Sequence, residues 1–116
     1  MPIIDIEIVE AAIDPRTTQA LADALGQAFA AAPGKVWVRT RILPAGQYAE
    51  NGTQAPAPVF VTVTASAPPE GAQLRERIGQ IVEVVARLTH RPAENVHVEF
   101  APAARGRIAF GGRLVE

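Results

Sequence analysis

Apolar and polar positions alternate from the first residues of the chain, with Ile4, Ile6 and Ile8 on one side and Ile3, Asp5 and Glu7 on the other. A period of two with one apolar and one mixed face predicts a half-buried β-strand. After Asp14-Pro15 the period lengthens, and Leu21, Leu25 and Phe29 recur every four residues as one stripe of a helix. Asp14 offers a carboxylate to the free amides of the first turn, and Pro15 sits where a missing N–H costs nothing. Pro33-Gly34 ends the helix. Alternation then resumes, with Val36, Val38, Thr40 and Ile42 facing inward and Trp37, Arg39 and Arg41 facing away.

This order is written a second time. Val36 and Val96, Gly46 and Gly106, and Gly52 and Gly112 are each separated by 60 positions, a shared offset that signals an internal repeat. The opening runs, Pro2 to Val9 and Pro58 to Thr64, lie 56 apart, which equates Pro58 with Pro2 and makes the second helix-bearing stretch four residues longer. In that stretch Pro68-Pro69-Glu70 opens a helix with Leu74, Ile78, Ile81, Val85 and Leu88 inward, and Arg91-Pro92 stops it. Val96, Val98 and Phe100 supply the inner face of the last strand. The chain therefore reads as one domain over residues 1–116: repeat one at 1–52, a connector at 53–57 and repeat two at 58–116. The fold class expected is α+β, two tandem βαβ units forming a four-stranded sheet with two helices on one face. The other face carries Trp37, Asp5, Glu7, Arg39, Arg41 and Glu99, a mixture suited to a symmetric partner surface with a polar centre.

Composition narrows the function classes. The 116 residues suit a single compact domain, and a hydrophobic share of 48% with only 5% aromatic makes its core aliphatic and thin, a situation oligomerisation relieves. Eleven Lys and Arg against twelve Asp and Glu leave a formal charge of -1, so there is no electrostatic footprint for nucleic acid or an anionic membrane. Absence of cysteine removes disulfides, thiolate metal sites and cysteine nucleophiles. The N-terminal apolar run carries acids and no basic lead, so it reads as neither signal peptide nor membrane span. A cytoplasmic protein with no metal or cofactor is the expectation.

Met-Pro-Ile-Ile at the N-terminus, the tandem βαβ units, Gly46-Gln47-Tyr48 after Val36-Trp37-Val38, and Gly106 with Gly111-Gly112 after Val96-His97-Val98 together resemble the tautomerase superfamily. The pattern is similar to two 4-oxalocrotonate tautomerase units fused, and macrophage migration inhibitory factor and cis-3-chloroacrylic acid dehalogenase share the doubled architecture. This resemblance implies a homotrimer with an active site near the N-terminal proline at a subunit boundary. It also implies a tautomerase using Pro2, freed by removal of Met1, as general acid/base for enol–keto interconversion of a small α-keto or phenylpyruvate-like compound, with some promiscuity. Proline alone offers a secondary α-amine held by a ring. Such an amine titrates near pH ~8 and is lowered by an apolar pocket toward the range of a useful base. Pro58 is amide-bonded and belongs to the scaffold.

The other candidates follow from the same resemblance and from charge. Arg39 and His97 are expected to hold or polarise the oxygen end of the substrate, while Trp37, Tyr48 and Phe110 form an apolar wall. Glu99 is a helper for the alternative chemistry, proline-dependent hydration or decarboxylation of a small acid. Arg39 and Arg41 also suit ion pairs with Asp5, Glu7 or Glu99. Departures are plain: the arginines that the family uses for carboxylate binding are replaced by Ala12, Trp37 and His97, and Phe110 stands where the dehalogenase has its water-activating glutamate. Dehalogenation is thus disfavoured. A non-catalytic trimeric scaffold is the remaining alternative, and retention of Met1, which acylates the Pro2 nitrogen, would favour it.

Overall fold

The computed structural model describes residues 2–54 and 56–116. Strand β1 (Ile3–Val9) leads to helix α1 (Pro15–Ala28) and strand β2 (Trp37–Leu43). Strand β3 (Val59–Thr64), helix α2 (Gly71–Thr89) and strand β4 (Val96–Phe100) repeat that order. The four strands form one sheet in the order β2-β1-β3-β4, with β1 parallel to β2, β3 parallel to β4, and β1 antiparallel to β3. The α+β class and the tandem βαβ arrangement are those expected from the hydrophobic pattern.

Local chemistry accounts for the element boundaries. The Asp14 carboxylate accepts from the amides of Arg16 at 2.7 Å and Thr17 at 3.2 Å, which settles two of the unpaired donors at the start of α1. Helix α2 ends at His90, whose left-handed φ of 56° breaks the helical path. Between the helices and the sheet lies the core: Ile4, Ile6 and Ile8 of β1, Val59, Val61 and Val63 of β3, Leu21 and Leu25 of α1, and Ile81 and Val85 of α2 are all fully buried or nearly so. Arg91 secures the segment joining the repeats, donating to the carbonyls of Ala57 and Glu10, the latter at 2.9 Å. Ala55, within the predicted connector, lies outside the described residues.

Strand pairing corrects the phase of the repeat. Ile3 lies opposite Trp37 and Asp5 opposite Arg39, while Phe60 lies opposite His97 and Thr62 opposite Glu99. With Trp37 matched to His97, Ile3 therefore matches Phe60, 57 positions on, and the structural counterpart of Pro2 is Val59 rather than Pro58. Burial explains the shift, because Ile3 points to the open face whereas Val59 is buried under the helices. The second strand-to-helix stretch is longer by three residues, not four.

The C-terminus holds an element that the hydrophobic pattern missed. Residues Ala109–Phe110 (β5) and Arg113–Leu114 (β6) pair as a two-residue hairpin whose turn, Gly111-Gly112, takes φ values of 59° and 84°. Strands this short carry no periodicity to detect, but the Gly-Gly pair was the available sign. In repeat one the matching positions make only an isolated bridge between Glu50 and Thr53.

Candidate functional site at the start of the sheet

Pro2 stands half-buried at the entry to β1, where its carbonyl accepts the Trp37 N–H at 3.1 Å. Ile3 is paired with Thr64, so this end of the sheet is also where β3 finishes. The chain after β4 crosses here, with the amides of Ala104 and Arg105 donating to Ala65 at 3.0 Å and Ser66 at 3.3 Å. It continues into the hairpin and delivers Phe110 edge-on to Trp37, with ring centroids 5.1 Å apart at 89°. Trp37 nevertheless remains 43% exposed. Pro2, Trp37 and Phe110 thus lie at the same end of the sheet.

His97, Glu99 and Tyr48 are placed elsewhere. His97 is opposite Phe60, which is opposite Glu7, four residues along β1 from Ile3 and therefore about 13 Å up the strand, on the far edge of the sheet. Glu99 lies in the row of Thr62, Asp5 and Arg39. Tyr48 joins a second aromatic cluster at the His97 end, with Phe60 between Tyr48 (5.7 Å) and His97 (5.6 Å). Its hydroxyl donates to Glu50 at 2.7 Å, and this bond, then burial and the Glu50 charge, raise the Tyr48 pKa. The two ends are related by the repeat, whereas the family resemblance had grouped their residues in one site. Phe60 was not singled out; its match to Ile3 is visible only once the phase of the repeat is known.

Arg39 sits between the two ends and is already engaged. Its Nε donates to one Asp5 oxygen at 2.6 Å and its Nη2 to the other at 2.9 Å. That hydrogen bonding and the Asp5 charge raise the Arg39 pKa. Arg41 faces Glu7 more loosely, at 3.6 Å. A hollow of about 300 Å³ opens beside the pair, lined by Asp5, Arg39, Thr40 and Arg41. A larger groove of about 540 Å³ runs between α1 and the outer edge of β2, lined in part by Ile13, Thr18, Val38 and Ile42. Among the described residues no group of three or more His, Asp or Glu is placed to hold a metal ion, and no helix is long and apolar enough to cross a membrane.

Comparison with solved structures places the fold in the class that the sequence resembled. A wild-type fused 4-OT, solved as an asymmetric trimer, superposes with a TM-score of 0.80 at 22% identity, covering 97% of this chain and 94% of that one. N1, a member of the cis-3-chloroacrylic acid dehalogenase family, gives 0.79 at 23% identity over 98% and 83% of the two chains. A macrophage migration inhibitory factor homologue from Prochlorococcus marinus gives 0.78 at 14% identity over 98% and 99%. The chain has the tautomerase-superfamily fold over nearly its whole length. No protein-family model and no curated protein sequence matches it.

Proposed function

We propose that this chain belongs to the tautomerase superfamily and acts as an enol–keto tautomerase on a small α-keto or phenylpyruvate-like compound, with Pro2 as general acid/base once Met1 is removed. The observation that carries the reading is the meeting of Pro2, Trp37 and Phe110 at one end of a sheet whose fold is shared with a fused 4-OT. A secondary amine on a ring holds its lone pair in a fixed direction, which suits it to general acid/base work. Met1 lies outside the described residues. While it is attached, the Pro2 nitrogen is an amide and carries no proton chemistry.

A homotrimer supplies what one chain lacks. Within a chain His97 lies at the end of the sheet remote from Pro2, so its proposed role of donating to the substrate oxygen requires a neighbouring copy, as does any role for Glu99 at Pro2. The open face with its paired charges is the surface that such a copy would cover, and the fused 4-OT neighbours are trimers. We place the protein in the cytoplasm. Tyr48, which shares the aromatic cluster of His97 through Phe60, would likewise reach Pro2 only from a neighbouring copy, as part of the apolar wall while its hydroxyl is held by Glu50. A second reading, a non-catalytic trimeric scaffold, draws support from the bidentate Asp5 contact that occupies Arg39.

Two measurements separate these. Intact mass of the protein from cells is expected to show loss of Met1, and 3-bromopropiolate is expected to label the free Pro2 stoichiometrically. Ketonisation of phenylenolpyruvate should then fall about 10²–10⁴-fold in Pro2→Ala, the usual worth of a general acid/base. Equal rates for the two proteins, or a retained Met1, would refute the catalytic reading.

A further inference from the structure

We propose that the seam between α1 and the inner row of β2 binds a small uncharged phenol, a role independent of the Pro2 reading. Val38, Thr40 and Ile42 pair with the buried Ile4, Ile6 and Ile8, so this row faces the helices and not the open face that a neighbouring copy would cover. Helix α1 covers the row incompletely. Ile42 stays 44% exposed, and the groove of about 540 Å³ along the seam is within the usual range of small-ligand pockets.

The repeat explains why the seam is open. Leu21 and Leu25 of α1 and Ile81 and Val85 of α2 are the buried helix positions, so the helices align at the same offset of 60 as β2 and β4. Thr18, Ala22 and Thr40 then correspond to Ile78, Val82 and Phe100. Val82 and Phe100 pack against the core, and in this alignment α2 also begins four residues earlier than α1. Repeat two therefore fills its seam with larger side chains of its own, a phenyl ring among them. A hollow at the position where the sister repeat holds that ring suits a ligand with a single ring, because interiors gain by packing to full density.

Polar groups in the seam select the ligand's chemistry. The hydroxyls of Thr18 and Thr40 share a hydrogen bond of 2.9 Å. One O–H donates in that bond, which leaves the other O–H and free lone pairs for a ligand hydroxyl that both donates and accepts. The two charged side chains at the rim are of opposite sign and already engaged, since the Asp14 carboxylate caps α1 and Arg41 faces Glu7. An anion or a cation would find its counter-charge paired, whereas a neutral ring with one hydroxyl meets apolar walls and the threonine pair.

The test titrates nitrogen-labelled protein with 4-methylphenol, and with toluene, which lacks the hydroxyl, and follows the backbone amide resonances. Thr18, Ala22, Thr40 and Ile42 should shift together with a Kd for 4-methylphenol of about 1 mM or tighter, while Ile78 and Phe100 stay unmoved. Toluene should bind about fivefold more weakly, and the gap should close in Thr18→Val/Thr40→Val, which keeps the shape of the seam and removes both hydroxyls. Ala22→Val and Thr40→Phe, each installing the residue type of repeat two, should weaken 4-methylphenol by about tenfold or more, and Pro2→Ala should leave it unchanged. No shift in the seam at about 10 mM 4-methylphenol, equal affinity for toluene, or undiminished binding in folded Ala22→Val and Thr40→Phe would each overturn the proposal. Dissociation of an oligomer in these two variants, read by sedimentation, would overturn it as well, because a second copy would then be the occupant of the seam.

Discussion

Phe110→Ala tests whether the C-terminal hairpin builds the wall at Pro2. The side chain is half-buried and meets Trp37 edge-on at 5.1 Å. An aromatic pair of this geometry contributes about 1 kcal/mol beyond area, and burying part of a phenyl ring adds about 1 kcal/mol. Loss of about 2 kcal/mol opens the hairpin roughly 30-fold more often without unfolding the sheet, because the hairpin contributes nothing to the buried core cluster. Hydrogen exchange reads this directly at the Val115 amide, which donates to the Ile108 carbonyl at 2.9 Å. Its protection should fall by about that factor, while amides of β1 and β3 stay protected. Trp37 is the only tryptophan, so its emission should shift to longer wavelength in the same variant. Unchanged Val115 exchange together with unchanged Trp37 emission would show that the aromatic contact does not hold the hairpin, and the wall would have to be built by other residues.

Leu25 is fully buried between α1 and the sheet, so Leu25→Ala should cost about 3 kcal/mol and lower Tm by roughly 12 °C in a thermal melt; a loss below about 4 °C would remove it from the core. Tyr48 is the only tyrosine, and its absorbance titration should give a midpoint above the ordinary 10.0 that moves back down in Glu50→Ala. Because the neutral phenol is the favoured form in the fold, this contribution to stability is complete below pH 10.0 and is lost as pH rises through the higher folded value. A midpoint at or below 10.0 in the intact protein would break the Tyr48–Glu50 assignment.

The sequence by itself determined the elements and their doubling. Side-chain alternation and the four-residue stripe are local properties of the backbone, so Ile4-Ile6-Ile8 and Leu21-Leu25 announced their burial without knowledge of any partner. The Asp14-Pro15 start was legible for the same reason, since a cap and the amides it serves lie within three residues. Only the tertiary structure decided the phase between repeats, because strands match by which face is buried, and a slip of one residue reverses every side chain. That phase moved the counterpart of Pro2 from Pro58 to Val59, and the β1–β2 register set the Asp5 carboxylate against Arg39. The antiparallel pairing of β1 with β3 put Tyr48 and His97 at the other end of the chain's own sheet from Pro2, although the family resemblance had grouped them. Strand order and register depend on contacts between residues distant in the chain, and no local pattern encodes the distance between two ends of a sheet.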